Sequence, residues 1–398
     1  MKTTFTIFKK ELIDSIRDRR TLMAMVVIPL VMFPLLISIS SRVIMSHVKK
    51  AKEKTLEIGL LTNDNALDLR EMLKGNDAVR LIEYITIEEG RSLVEQDSLD
   101  AFIVIDKGFD RDVAEQKQGK ISMYYKSAED RDIERDRVEE ILEDYEEKLR
   151  SARFESLGLD EAIIQTVNLS KHNLASIKER VAGVIGGFLP YLFIIFCFTG
   201  SMYPAIDLAA GEKERGTLET LLTSPAGKFQ ILMGKFGVVV LTGILSAAIS
   251  IVGLYIGIIQ MKEIPAELLN SILGILEAES IVLLLTLLLP LTAFFAGILL
   301  SVSILAKSFK EAQSMLTPLM IVVIVPAFIG LMPGMELTPK TALIPILNVS
   351  LATKSIIAGN INGALLAEAY VSLFAIAGLS LYSCSRVFGN EKSVFREA

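Results

Sequence analysis

Two cysteines and two histidines are all that the 398 residues contain of either type. Cys197 and Cys384 each lie inside an apolar run, so they read as small buried hydrophobes and exclude a disulfide or metal framework. His47 and His172 stand far apart without Cys or His companions and read as surface histidines. No H-E-x-x-H, G-x-S-x-G or EF-hand spacing occurs, so no catalytic residues are assigned and a metal site stays undefined. A P-loop is missing too. Gly227-Lys228 lacks the upstream glycine, position 222 being Leu222, and Phe229 follows where Ser or Thr is required. This chain alone therefore has no means of hydrolysing ATP, and an intramembrane enzyme has no residues to support it.

What is present falls into two regimes. The chain is 51% hydrophobic with a mean hydropathy of +0.48, yet 22% of it is charged. Such a mixture implies that apolar and charged stretches are segregated along the sequence. Residues 42–180 carry 23 Lys and Arg against 31 Asp and Glu, and the whole chain has a net charge of −6. That acidic balance argues against nucleic acid as a partner.

Residues 1–20 are basic, with Lys2, Lys9, Lys10, Arg17, Arg19 and Arg20, and Phe5, Phe8, Leu12 and Ile16 recur at helical spacing. This predicts an interfacial helix on the cytoplasmic leaflet. The apolar run 21–41 is longer than a signal-peptide core, contains Pro29 and Pro34, and lacks an A-x-A-like exit, so it reads as an uncleaved first span. In 42–180, the runs Leu56–Leu61, Val79–Ile87, Ala101–Ile105 and Ile121–Tyr125 read as strands, separated by helical patterns at 66–74 and 87–97. The alternation predicts a small α/β domain. An exposed helix over Asp130–Arg153 and another over Leu159–Arg180 lead back to the membrane.

Residues 181–398 then supply five spans, near Val181–Ile206, Phe229–Ile259, Ser280–Ala306, Met315–Leu331 and Ala364–Val387. Gly183, Gly186 and Gly187 at the start of the first of these suit close helix approach, within one chain or in a homodimer. The segment 341–358 is apolar but broken by Pro345, Asn348 and Ser350, which fits a re-entrant or interfacial segment better than a crossing. The fold class expected is a polytopic α-helical membrane protein of six spans, with seven as the alternative. It carries an extracytoplasmic α/β domain between spans one and two.

Basic flanks set the orientation. The N-terminus, the 207–228 loop (Lys213, Arg215, Lys228), the 307–314 loop (Lys307, Lys310) and the tail (Arg386, Lys392, Arg396) fall on one side, which must be cytoplasmic. Residues 42–180 and the sparsely basic loops 260–279 and 332–363 face out. A multi-pass cell-membrane protein with both termini cytoplasmic is the result.

One charged stretch, 211–225, lies between two long apolar runs. Gly216 frees the backbone to turn, Thr217 is an expected N-cap, and Glu219 sits in the first turn where the helix dipole favours it. Leu218, Leu221 and Leu222 make an apolar stripe, and Pro225 ends the helix. About two turns of helix do not persist alone in water, so the stripe must dock. A well-capped solvated loop would carry many of the same residues.

The run Glu212-Lys213-Glu214-Arg215-Gly216-Thr217-Leu218-Glu219 with Thr223-Ser224-Pro225 resembles the signature of type-2 ABC exporter permeases, and the order of the other segments is similar to the sodium-extruding NatB branch. The resemblance implies that 211–225 is a cytoplasmic coupling helix seated in a groove of a separate ABC ATPase subunit. Glu212, Glu214, Arg215, Gly216, Thr217, Leu218, Glu219, Leu222 and Pro225 are then its docking residues. It also implies a homodimer in the lipid membrane with two ATPase copies, no cofactor on this chain, ATP and Mg on the partner, and sodium as cargo.

The same machine exporting a drug, peptide or lipid would leave nearly the same sequence. A receptor or scaffold that binds a cell-envelope ligand through 42–180 explains the soluble part and leaves 211–225 without a role. No ionisable residue is expected at the span centres. Glu277, Glu279 and Glu368 lie near outer ends and Asp207 near an inner end. Thr199, Ser201, Thr242, Ser246, Thr286, Thr292, Ser301, Ser303, Gln313 and Thr317 are the polar residues within spans, and hydroxyls there mostly bond their own helix.

Overall fold

The structure is a computed structural model that describes residues 2–83, 86–126, 132–158, 188–260, 277–332 and 334–390. The helix expected over Leu159–Arg180, the glycines 183, 186 and 187, and the tail residues Lys392 and Arg396 lie outside the described residues. The chain divides into two units, Met1–Ile39 with Asn173–Ala398, and Ser40–His172.

The first unit is helical. Among the described residues, six helices are long and apolar enough to cross a membrane: Arg19–Val43, Phe188–Glu214, Lys228–Ile259, Ala278–Leu305, Phe309–Ile329 and Gly363–Gly389. The second is the most enclosed. It buries 78% of its most apolar window, against 22% for the first and the fifth, so it forms the centre of the packing. Phe193, Ile194, Cys197, Phe198, Ala205 and Ile206 of this span are at most 1% exposed. A helix that is apolar all round belongs in such a position. Cys197 and Cys384 are free and buried, as expected of small hydrophobes.

The fifth span starts earlier than its hydropathy suggests. Ser308 caps the helix by accepting from the Glu311 N–H at 3.2 Å, and Lys310 and Glu311 are already helical. A Ser N-cap with a carboxylate three residues on outweighs the charge that places these residues in a loop. Over 341–358, the chain forms a turn of helix at Pro339–Ala342 and a 12-residue helix at Leu347–Ala358. Twelve residues rise about 18 Å, short of the ~30 Å hydrocarbon core.

The N-terminal helix, Lys2–Arg17, packs on the third span, with Phe8 and Leu12 partly buried against the apolar core. Ile7, Glu11 and Ser15 are buried, while Phe5 and Ile16 stay exposed. Gly234 is what permits this approach: a Cβ there would stand 2.7 Å from Ile7 Cγ2 and 3.2 Å from the Phe8 backbone nitrogen.

The second unit holds a four-stranded sheet in the order β2-β1-β3-β4, with β1 Leu56–Thr62, β2 Val79–Glu83, β3 Ala101–Ile105 and β4 Ile121–Tyr125. β1 pairs parallel with β2 and β3, and β4 runs antiparallel to β3. β3 is central and buried on both faces, which suits its unbroken apolar run. Ala101, Ile103 and Ile105 join one core with Leu69 and Leu73, and Phe102 and Val104 join another with Val94. The helix Asp132–Leu157 is not a free charged rod. Val138 and Tyr145 are buried in the first of these cores, with Ile141, Leu142 and Leu149 beside them.

Candidate functional site

The charged stretch continues directly from the second span. That helix passes through a π-helical turn at Asp207–Gly211, and Glu212–Glu214 extend it for one more turn. Gly216 then adopts φ +70°, a left-handed conformation that costs an L-residue with a Cβ but not glycine. Here the chain reverses into the short helix Thr217–Leu222. Gly216 itself occupies the N-cap position, so Thr217 is the first helical residue and not the cap. Its hydroxyl donates to the Glu212 carbonyl at 3.2 Å, which ties the two short helices together. The glycine turn takes the boundary one residue earlier than a Ser/Thr cap would.

The leucine stripe docks within this chain. Leu218 is 2% exposed in the main apolar core, and Leu221 and Leu222 pack against it. Burying these side chains contributes roughly 1.5–3 kcal/mol for each one fully removed from water. The opposite face, with Thr217, Glu219, Thr220 and Thr223, is exposed, as are Glu214, Arg215 and Pro225. The turn is therefore pinned from below and open above.

Three polar contacts fix its angle. Arg215 Nη1 lies 2.8 Å from Asp207 Oδ1. That hydrogen bond holds the Arg215 guanidinium still further above its usual range, against the effect of partial burial. Glu214 Oε2 accepts from the Phe309 N–H at 2.8 Å, at the start of the fifth span, and Lys213 Nζ donates to the Ile304 carbonyl at 3.2 Å, at the end of the fourth. Three spans thus meet at one turn.

A further set was not legible from the stretch itself. Lys235, in the third span, is 2% exposed. Its Nζ lies 2.5 Å from Glu212 Oε2, 3.8 Å from Glu11 Oε1, and donates to the Leu208 carbonyl at 2.7 Å. Glu11 in turn meets Lys10 at 3.1 Å. Burial disfavours the Lys10 ammonium, yet the neighbouring Glu11 carboxylate raises its pKa above the ordinary lysine value. Two carboxylates are matched by two ammonium groups, the condition under which buried charges persist. The sequence signal was available: Lys235 is a lone charge within an apolar run, and intramembrane ionisable residues are functional candidates by default.

The hydroxyls within the spans mostly donate their hydrogen to backbone carbonyls. Thr199, Thr242, Thr286, Thr292, Ser301 and Thr317 each donate to a carbonyl of their own helix, at 2.6–3.0 Å. Ser201 crosses to the Val239 carbonyl at 3.2 Å, and Thr286 also meets the Tyr370 hydroxyl at 2.8 Å. Ser246 and Ser303 are buried, and neither hydroxyl oxygen has a hydrogen-bond partner among the described residues.

The family profile described as "ABC-2 family transporter protein" matches residues 19–382. This chain belongs to the ABC-2 family. It is 25% identical over 363 residues to the ABC transporter permease protein NatB of Bacillus subtilis, an alignment covering 90% of each chain. It is also 23% identical over 330 residues to an uncharacterized protein of Methanocaldococcus jannaschii, covering 82% of this chain and 75% of that one. As an ABC-2 permease subunit it is a multi-pass membrane protein, and the family implies an ATPase partner.

Proposed function

We propose that this ABC-2 permease is the membrane half of an exporter, and that the turn at 211–225 is where a separate ATPase docks. The observation that carries this is the division of the turn into two faces. Leu218 is buried inside the chain with Leu221 and Leu222 partly buried against it, while Glu219, Thr220 and Thr223 beside the Gly216 reversal are exposed. A docking element must be rigid beneath and accessible above. Glu214, Lys213 and Arg215 tie it to the second, fourth and fifth spans, so a push on the turn is delivered to the bundle.

Two permease copies and two ATPase copies make the working assembly, with ATP and Mg bound by the ATPases. Closure of the ATPases on ATP drives the turns and switches the bundle between inward and outward states. The N- and C-termini and the turn face the cytoplasm in a cell membrane, with residues 42–180 outside, as the basic flanks of the spans require.

Sodium is the cargo favoured by the similarity of the segment order to the sodium-extruding branch. A second reading keeps the same machine and changes the cargo to an amphiphile such as a drug, peptide or lipid.

The test is co-purification of the full chain with its ATPase, wild type against a scramble of 216–225. An ATPase retained by the wild type and lost by the scramble supports the docking assignment, and equal retention overturns it. Stimulation of the reconstituted ATPase by sodium or by an amphiphile then decides the cargo.

A further inference from the structure

The first span opens with two adjacent arginines, and neither belongs to the charged turn of residues 211–225. Arg19 and Arg20 border a recess of about 500 Å³, together with Met23 and Ile28 of the same span, Tyr203 of the second, and Phe309 of the fifth. The Arg20 guanidinium stands 5.2 Å from the centre of the Phe309 ring, a cation–π contact that holds it over the opening. Against the effect of partial burial, hydrogen bonds from Thr21 and the nearby Arg20 charge lower the pKa of Asp18, but Asp18 forms no ion pair with either arginine. Its carboxylate accepts from the Thr21 N–H at 2.9 Å and from the Thr21 hydroxyl at 2.8 Å. Among the described residues, neither Arg19 nor Arg20 has an ion-pair partner.

The backbone beneath the recess is also irregular. Met23–Val27 form a π-helical turn, a feature that recurs at functional sites because it re-aims the side chains around it. Met23 is 51% and Ile28 45% exposed, so the rim on the membrane side of the arginines is apolar. Two planar guanidinium groups suit a phosphate oxygen pair, and their place at the end of a span puts them at headgroup depth. A free anion would satisfy the arginines but leave the apolar rim uncovered. A phosphate that carries an acyl chain satisfies both.

We propose that this recess binds the headgroup phosphate of an anionic phospholipid, with Arg19 and Arg20 on the phosphate and the acyl chain along Met23 and Ile28. The proposal rests on the first span crossing a membrane and is independent of the ATPase and of the cargo.

The experiment tracks thermal unfolding of the full chain in a neutral detergent as dioleoyl-phosphatidylglycerol or dioleoyl-phosphatidylcholine is added. The proteins compared are wild type, R19Q/R20Q, and a K2Q/K9Q control that removes the same charge from the N-terminal helix. The anionic lipid should raise the wild-type Tm. Its half-saturating concentration should rise roughly thirtyfold in R19Q/R20Q and stay unchanged in K2Q/K9Q. Phosphatidylcholine and inorganic phosphate should give no shift.

An equal response in wild type and R19Q/R20Q overturns the site, as does an equal loss in K2Q/K9Q, which would mean diffuse surface attraction. A shift reproduced by inorganic phosphate would make the ligand a free anion. A changed oligomer mass in R19Q/R20Q with an unchanged lipid response would make the recess a contact between copies. Both arginines are exposed, so the variant should fold. If its starting Tm differs, native mass spectrometry of retained lipid distinguishes the same outcomes.

Discussion

Glu212 and Lys235 meet at 2.5 Å although one ends the second span and the other lies two turns inside the third. The contact clamps the root of the charged turn to a neighbouring helix. It also makes both residues mutually dependent, because a buried charge without its partner is far more costly than the pair.

Lys235→Met should therefore lower stability by about 3–5 kcal/mol, since it leaves the Glu212 carboxylate buried and uncompensated. The double variant K235M/E212Q should recover much of that loss. Thermal unfolding of the four members of the cycle in detergent measures the coupling. Equal losses in the single and the double variant would mean that the ion pair contributes nothing.

The two exposed glutamates of the turn should behave differently. Glu219 touches no described partner and sits in the first helical turn, so E219K should cost about 0.3–1 kcal/mol of helix stability while abolishing ATPase co-purification. Glu214 accepts from the Phe309 N–H, so E214K should in addition loosen the start of the fifth span. A lower Tm for E214K than for E219K, with both failing to retain the ATPase, is the expected pattern. Unaltered ATP-driven transport in both variants would remove the docking assignment.

Gly216→Ala probes the reversal alone. At φ +70° a Cβ costs roughly 1–2 kcal/mol, and nothing lies within 4 Å for it to strike. The effect should appear as weakened coupling between ATP hydrolysis and transport at nearly normal expression. A fully coupled G216A would show that the turn tolerates another path.

Tyr145 gives the unit that holds the sheet a marker at high pH. Burial first, then the nearby Asp68 and Asp110 charges, push its phenol from 10 up to about 12. The folded state thus favours the protonated phenol. Its contribution is complete below pH 10 and is lost as pH rises through about 12. The ultraviolet difference titration of wild type against Y145F should show a midpoint near 12, and a midpoint near 10 would contradict the burial.

Six spans are legible in the sequence because length and composition suffice for them. The Gly216 turn and the leucine stripe are legible because local chemistry dictates them. The features that escape a sequence reading are set by neighbours. Phe5, Phe8, Leu12 and Ile16 form the apolar face of the N-terminal helix, and Phe8 and Leu12 pack on the core. The burial of Ile7, Glu11 and Ser15 beside them depends on neighbours, Lys235 that attracts Glu11 and Gly234 that admits Ile7. The charge count of Asp130–Arg153 suggests a solvated helix, but Val138 and Tyr145 recur on one face and meet a sheet core that periodicity in the helix alone does not reveal. Thr217 loses the cap to a glycine for a similar reason: the leucine stripe must turn back onto the core, and only the left-handed Gly216 lets it.

Gly234 offers a test of whether docking of the N-terminal helix and the buried charges are one device. A Cβ at this position meets Ile7 at 2.7 Å and the Phe8 backbone at 3.2 Å, so G234A must displace the helix, at a cost of about 1–3 kcal/mol. Displacement carries Glu11 away from Lys235. E11Q removes the same interaction by chemistry and leaves the helix seated. If the helix serves to bring Glu11 to the cluster, G234A and E11Q together should cost less than their separate effects added, since one interaction is not lost twice. Strict additivity in thermal unfolding would instead make the helix an independent clamp on the third span, with Glu11 a bystander to Lys235.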